Sequence, residues 1–206
     1  MANISPETLT PHTAPYLRSC PINLQKQALR RAARRFCMDT EAWRETMTSF
    51  NTVVDTDEYT LAVPSAYIIT AVDQVVFGRL LGIREAGSKI NTLESRYTFS
   101  QEGKLKFDDA PTDVHAIIAD VVYIPIRDSV TYIDWMIRLW GDGIIAGALW
   151  DLKRNPGSAS SPVPWYDPAG ANEYKDDYNG TLFRAKRANF TGRKSGVVTI
   201  ALTPFA

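Results

Sequence analysis

The sequence has few of the residues on which most reaction chemistry depends. It contains two cysteines and two histidines in 206 residues, and the single pair Cys20 and Cys37 does not have zinc-site spacing. His12 lies in a polar stretch, and His115 begins an apolar segment in which a hydrogen-bonded structural histidine is expected. No GxxxxGK phosphate loop and no GxSxG elbow occurs. We therefore expect no catalytic residue, no cofactor and no metal, and two buried thiols in place of a disulfide.

An excess of one charge and a long apolar run are also missing. Lys plus Arg and Asp plus Glu both number 23, so the formal net charge is zero. This balance argues against dedicated DNA binding and does little to keep copies of the chain apart. No apolar run approaches the ~20 residues of a membrane span, and the polar first 21 residues lack a signal-peptide pattern. We expect no membrane partner and a protein that stays where it is made.

Helical patterning first occurs near the N-terminus. Pro21 suits the first position of a helix, and apolar residues at helical spacing predict a helix from there to at least Phe36. Trp43 and Met47 indicate that it continues or restarts. The Pro/Thr-rich residues 1–20 before it are predicted to be a flexible arm.

A second helical region spans residues 128–153 and is apolar nearly all round, which predicts a central buried helix. Asp128 and Ser129 are a plausible N-cap pair. Gly143 and Gly147 each cost ~1 kcal/mol relative to alanine in a helix, so we expect another backbone to approach closely there. Residues 153–157 form a stop signal, and a last helix is predicted from about residue 168 to 189.

Residues 51–127 are rich in β-branched and aromatic residues between turn signals. The turns are predicted at Gly78-Arg79 and at Glu102-Gly103. Seven short strands with such connections predict a small antiparallel sandwich or rolled sheet. The predicted strands are 52–54, 58–63, 67–77, 80–84, 96–99, 104–107 and 114–124.

The sequence thus predicts an α+β fold with a β module inserted into a helical body. Residues 21–50 and 128–190 would form a bundle of three main helices, and residues 51–127 the sandwich-like insertion. Residues 191–206 have the composition of a C-terminal strand. Since an unpaired strand invites pairing with another chain, we expect the tail to contact a neighbour through Val197, Val198, Ile200, Leu202 and Phe205.

Two charged features allow other functions. One helical face carries five cations that could bind phosphates, which supports a nucleic-acid-binding module as an alternative; a solvated face or a protein partner explains the same pattern. These cations are Lys26, Arg30, Arg31, Arg34 and Arg35. An enzyme of unrecognised type would need Asp55, Asp57 and Asp108 to converge, whereas the carboxylate clusters are expected on exposed turns and helical faces.

Several stretches in order resemble one family. They are Cys20-Pro21-Ile22, residues 27–37 with Trp43 after them, 57–64, 69–72, 77–81, 140–149 and 183–186. Together they span most of residues 20–190. In this order they resemble the head-to-tail adaptor (connector, head completion) proteins of tailed bacteriophages.

The resemblance implies a structural virion protein at the head-tail junction, assembled in the host cytoplasm. Such adaptors form a homo-oligomeric ring, usually dodecameric, beneath the portal protein. They extend the DNA channel, through which genomic DNA passes without sequence-specific binding, and they offer a docking surface to downstream tail or neck proteins. Either the N-terminal arm or the tail 195–206 would suit the grip on the portal.

Overall fold

A computed structural model describes residues 3–63, 75–86, 97–127, 129, 132–158 and 161–192. It combines helices with antiparallel strands, so the α+β class is confirmed. In chain order the elements are β1 (Asn3–Ile4), α1 (Thr10–Thr13), α2 (Ile22–Thr40), β2 (Arg44–Thr46), β3 (Phe50–Asn51), β4 (Glu58–Thr60), β5 (Val75–Glu85), β6 (Tyr97–Phe99), β7 (Lys104–Phe107), β8 (Ala116–Pro125), β9 (Tyr132–Ile133), α3 (Asp134–Lys153), β10 (Gly157–Ser158), β11 (Ser161–Pro162) and α4 (Pro168–Gly192).

Helix α2 buries the face that its sequence marks as apolar, including Ala28, Leu29 and Phe36. It ends at Thr40, because Glu41 adopts the left-handed conformation (φ 50°) that turns the chain out of the helix. The predicted continuation or restart of the helix through Trp43 is therefore wrong. The chain after the turn is extended, and strand β2 pairs with β8.

Residues 3–20 are folded against the helices and do not form the predicted flexible arm. Short helical turns at Pro6–Leu9, α1 and Ala14–Tyr16 each have proline at one of their first two positions, where the missing N–H costs nothing. Leu17 is 1% exposed, and the Thr13 hydroxyl donates to Gln25 Oε1 on α2. The prolines that suggested an irregular arm thus begin compact turns.

Helix α3 begins later than predicted. Residues 132–133 are extended because β9 pairs antiparallel with β1, so Ser129 cannot cap the helix, and residue 128 lies outside the described residues. Ile133 occupies the N-cap position. The predicted end at Lys153 is confirmed, and the helix departs from helical geometry only at Trp140 (φ −117°, ψ 15°).

Helix α4 follows a loop and packs, like α2, against α3. The Asp167 carboxylate accepts the Gly170 N–H at 2.9 Å and an ion pair from Lys153 at 2.9 Å. The Gly170 N–H and Lys153 together lower the pKa of this carboxyl, as expected of an acid at a helix start. The helix extends to Gly192, so residues 191 and 192 are helical and do not belong to the predicted tail strand.

The strands form two main antiparallel sheets. In the larger one, β8 lies between β5 on one side and β2 and β3 on the other. The smaller sheet has the order β4-β7-β6. The hairpin predicted at Glu102-Gly103 is confirmed, since Gly103 has φ 82° between β6 and β7. The strand predicted at 52–54 is instead β3 at 50–51, and part of the strand predicted at 67–77 lies outside the described residues.

Gly78-Arg79 is not a turn. Strand β5 passes straight through it with a register irregularity against β8. A Cβ at Gly78 would lie 2.5 Å from Ile124 Cδ1. Glycine is needed there for close approach to the neighbouring strand, and not for a reversal of the chain.

One hydrophobic core joins the helices to the larger sheet. It includes Phe36 of α2, Met136 of α3, Phe77 of β5 and Tyr123 of β8. Both cysteines are buried and free, as predicted, and burial raises the pKa of the Cys37 thiol. Among the helices of the described residues, none has the length and apolarity needed to cross a bilayer.

Candidate interaction surfaces

The basic face of α2 is largely engaged within the chain. Glu7, from the N-terminal segment, pairs with Lys26 at 2.9 Å and also with Arg30. Hydrogen bonds and charge from these two cations, Lys26 foremost, lower the pKa of the Glu7 carboxyl. Glu7 is the partner that sequence reasoning missed, because it lies in the segment assigned to an arm.

The C-terminal half of the same face is also occupied. Arg34 donates to the Pro125 carbonyl at 3.1 Å, and Arg35 pairs with Asp151 of α3. Arg31 lies between Arg30 and Arg34 in the sequence and is exposed. Of the five cations predicted as a phosphate-binding face, four therefore have partners in the chain.

Cations from α2, from the residue that follows α3 and from α4 surround the indole of Trp150. The Arg154 and Arg35 guanidinium carbons lie 4.8 and 5.4 Å from the ring centroid, and Lys175 Nζ lies 6.0 Å from it. Cations over a tryptophan face are attracted by the ring quadrupole. The sequence separates these residues by up to 140 positions, so no local pattern could have predicted the cluster.

Beside this cluster lies a hollow of about 340 Å³, which we term the basic hollow. It is lined by Arg31, Asp151, Arg154, Asn155 and Pro156. The Asp151 carboxylate is held by Arg35 and, at 3.2 Å, by Arg154. The exposed charge of the hollow is consequently that of Arg31 and Arg154.

A second hollow of about 300 Å³ lies between α3, α4 and the N-terminal segment, and we term it the acidic groove. Asp142 and Asp177 are its carboxylates, and Arg184, which donates to Thr181 Oγ1 at 2.9 Å, is its one cation. Its apolar floor includes Ile145 and Leu149.

Gly143 and Gly147 lie where α3 meets its neighbours. A Cβ at Gly143 would lie 2.6 Å from Thr181 Cγ2 of α4 and 3.3 Å from the Phe36 ring of α2. A Cβ at Gly147 would lie 2.9 Å from Tyr178 Cδ2 of α4. These two positions are where α4 approaches α3 too closely for a larger side chain.

The acids considered for chemistry are exposed or in an ion pair. Asp55 and Asp108 are exposed, and Asp57 pairs with Lys106 at 3.4 Å on the outside of the smaller sheet. Within the described ranges, no group of three or more His, Cys, Asp or Glu residues could hold a metal ion. His115 Nδ1 lies 2.7 Å from Glu85 Oε1, which is the structural contact expected of it.

Large apolar side chains are exposed on every helix of the body. Ile22, Leu24 and Met38 lie on α2, Trp135 and Leu139 on α3, and Phe183 on α4. In the β module, Val53, Val54 and Val114 are exposed on adjacent loops. The predicted contact residues Val197, Val198, Ile200, Leu202 and Phe205 lie outside the described residues.

No protein-family model matches this sequence, and no curated protein matches it.

Proposed function

We propose that this protein is a structural virion protein, a ring-forming head-to-tail adaptor that binds the portal, extends the DNA channel and provides the docking surface for the tail. The observation that carries the proposal is the chain order: strands β2 to β8 interrupt two helices, α2 and α3, that pack against each other. A helical bundle carrying an inserted, sandwich-like β module is the architecture that the family resemblance implies. The ordered motifs of residues 20–190 are the residues on which that resemblance rests.

The surface supports assembly better than catalysis. Leu139 and Phe183 are exposed on α3 and α4. We expect them to belong to a contiguous apolar patch, which is the feature that marks a surface for another protein. Ring closure needs a heterologous contact, in which one face of each copy meets a different face of the next. We expect the helical body to supply that contact and the protein to have no enzymatic activity.

The contact with the portal is assigned to the C-terminal tail. Residues 3–20 are already packed on α2 and α3, so they are less available for a partner than the sequence implied. The tail, with Val197, Val198, Ile200, Leu202 and Phe205, follows α4 and has strand composition. Added as a strand to a sheet edge of the portal, it would gain main-chain hydrogen bonds.

The alternative, a nucleic-acid-binding module, has less support. It requires the basic face of α2 to reach phosphates, yet Lys26, Arg30 and Arg35 are in ion pairs within the chain. Zero net charge suits a channel through which DNA slides without adhering. Genomic DNA is accordingly a passing partner and not a bound ligand in the proposal.

The test is assembly with the portal protein encoded by the same virus. The full chain is mixed with portal rings, and particle mass and images are recorded by light scattering and electron microscopy. We expect a discrete ring of this chain on one end of the portal, and deletion of residues 195–206 should abolish it. A chain that remains unbound at all concentrations would contradict the adaptor function.

A further inference from the structure

We propose that the basic hollow of one copy and the acidic groove of a second copy form the contact that closes the ring. This deepens the proposed function and rests on it. The occupant of each hollow is thus another copy of this chain, presenting the opposite charge.

The two hollows lie on opposite sides of α3. Successive residues of an α-helix are turned by about 100°, so residues 142, 145 and 149 of the acidic groove project about 180° away from residues 151 and 154 of the basic hollow. A contact between unlike faces on opposite sides of one helix is heterologous, which is the kind that a ring requires. When the same contact is repeated from copy to copy and the ring closes, both faces of every copy are occupied.

Their charges are complementary. The basic hollow presents two arginines and one carboxylate, and that carboxylate, Asp151, is already held by Arg35 and Arg154. The acidic groove presents two carboxylates, Asp142 and Asp177, and one cation, Arg184. The basic hollow therefore has a net positive charge and the acidic groove a net negative charge, while the sequence as a whole is neutral.

Each hollow also has an apolar component beside its charges. Ile145 and Leu149 line the acidic groove next to Tyr16, whose ring meets Tyr174 edge to face at 6.1 Å. Pro156 lines the basic hollow, and Trp150 lies beneath Arg154. Aromatic and arginine side chains are those that dominate interface energetics, and charges that meet across an interface set its register.

The test reverses the charges of one face at a time. Variant Arg31→Glu changes the basic hollow at an exposed side chain, and Asp142→Lys with Asp177→Lys changes the acidic groove at two exposed ones. Control variants Lys104→Glu and Asp109→Lys carry the same kind of change in the β module. Self-association of the full chain is measured by sedimentation, alone and on portal rings, and circular dichroism checks that each variant is folded.

Each reversed variant alone should associate about tenfold more weakly or worse, since like charges then face each other. An equimolar mixture of the two should recover assembly as an alternating ring, because every contact again joins opposite charges. The controls should assemble like the unaltered chain. Recovery in the mixture is a result that a merely misfolded variant could not give.

The outcomes separate this contact from the adaptor function. If the unaltered chain forms rings on the portal and both reversed variants do too, the adaptor stands and this contact is overturned. If the chain associates through these faces but never binds the portal, the contact stands and the adaptor function is overturned. If the unaltered chain neither associates nor binds, both are overturned.

Discussion

Two glycines on neighbouring helices differ in what an added methyl group would meet. At Gly143 of α3 it would lie 2.6 Å from Thr181 Cγ2, while at Gly180 of α4 nothing lies within 4 Å. Overpacking a core costs typically 1–3 kcal/mol, against a helix-propensity gain of ~1 kcal/mol on replacing glycine. Gly143→Ala should therefore lower the free energy of unfolding by up to about 2 kcal/mol, as measured by urea denaturation.

Gly180→Ala is the matched control. It gains the same propensity without a clash, so it should raise the free energy of unfolding by about 0.5–1 kcal/mol. Equal effects of the two substitutions would show that α3 and α4 do not approach each other as closely as the structure has them.

Glu7 links the N-terminal segment to α2 through Lys26 and Arg30. Glu7→Gln should lower the free energy of unfolding at neutral pH by about 0.5–1 kcal/mol, a modest value because both cations are partly exposed. The folded-state pKa of Glu7 lies below its ordinary 4.5. Its contribution is thus complete above that ordinary value and is lost as the pH falls through the lowered one. Denaturation at a series of pH values measures it.

At pH values below the lowered pKa, the unaltered chain and Glu7→Gln should be equally stable. Glu102→Gln, at an exposed position in the turn between β6 and β7, is the control and should change little at any pH. A difference between Glu7→Gln and the unaltered chain that persists in acid would assign its effect to packing and not to charge.

At the scale of elements, the N-terminal segment is part of the core. Leu17 is 1% exposed and packs in the main cluster. Replacing a buried leucine by alanine costs about 2–5 kcal/mol, so Leu17→Ala should lower the free energy of unfolding by that amount. If the segment were the flexible arm that its prolines suggest, the substitution would be nearly neutral, and urea denaturation distinguishes the two.

Leu24→Ala provides the comparison for Leu17→Ala. Leu24 is 38% exposed on the first turn of α2, so its truncation should cost less than about 1 kcal/mol. If Leu24→Ala lowered the free energy of unfolding more than Leu17→Ala, the N-terminal segment would not be part of the core.

Sequence reasoning predicted the elements whose signals are local. The apolar periodicity of α2 and α3, the stop after Lys153 and the Gly103 turn each depend on a few neighbouring residues. Glu41 ends α2 in a left-handed conformation in which glycine is the usual residue, so the sequence alone predicts a helix that continues or restarts through Trp43. Gly78 has the sequence signal of a turn, but glycine is required there because Ile124 of the neighbouring strand β8 lies so close, and Ile124 is distant in sequence.

The interaction surfaces were less predictable for the same reason. The five cations of α2 were visible as a helical face, but Glu7, Pro125 and Asp151 occupy four of them. The cluster at Trp150 combines α2, α3 and α4. Only tertiary packing decides whether a predicted charged face is exposed or satisfied.

At the scale of the whole molecule, neutrality conceals an uneven distribution of charge. The basic hollow and the acidic groove lie on opposite sides of α3. Elsewhere, charged side chains such as Arg44 and Glu41, 2.9 Å apart, pair with each other within the chain. A molecule of this kind has little long-range attraction for a polyanion but retains short-range complementarity for a copy of itself.

The affinity of the isolated chain for DNA measures this balance directly. The logarithm of the binding constant falls with the logarithm of salt concentration by about 0.9 for each phosphate neutralised. With only Arg31 of the α2 cations lacking a described partner, we expect weak binding and a slope of magnitude near 1. All five cations acting together would give about 4.5. Fluorescence anisotropy of labelled duplex DNA across a salt series decides between them, with Arg31→Ala as the control that should lower the magnitude of the slope by about 0.9. A steep slope that survives Arg31→Ala would establish the nucleic-acid-binding alternative, because the ion pairs of Lys26, Arg30 and Arg35 would then have to open for phosphate.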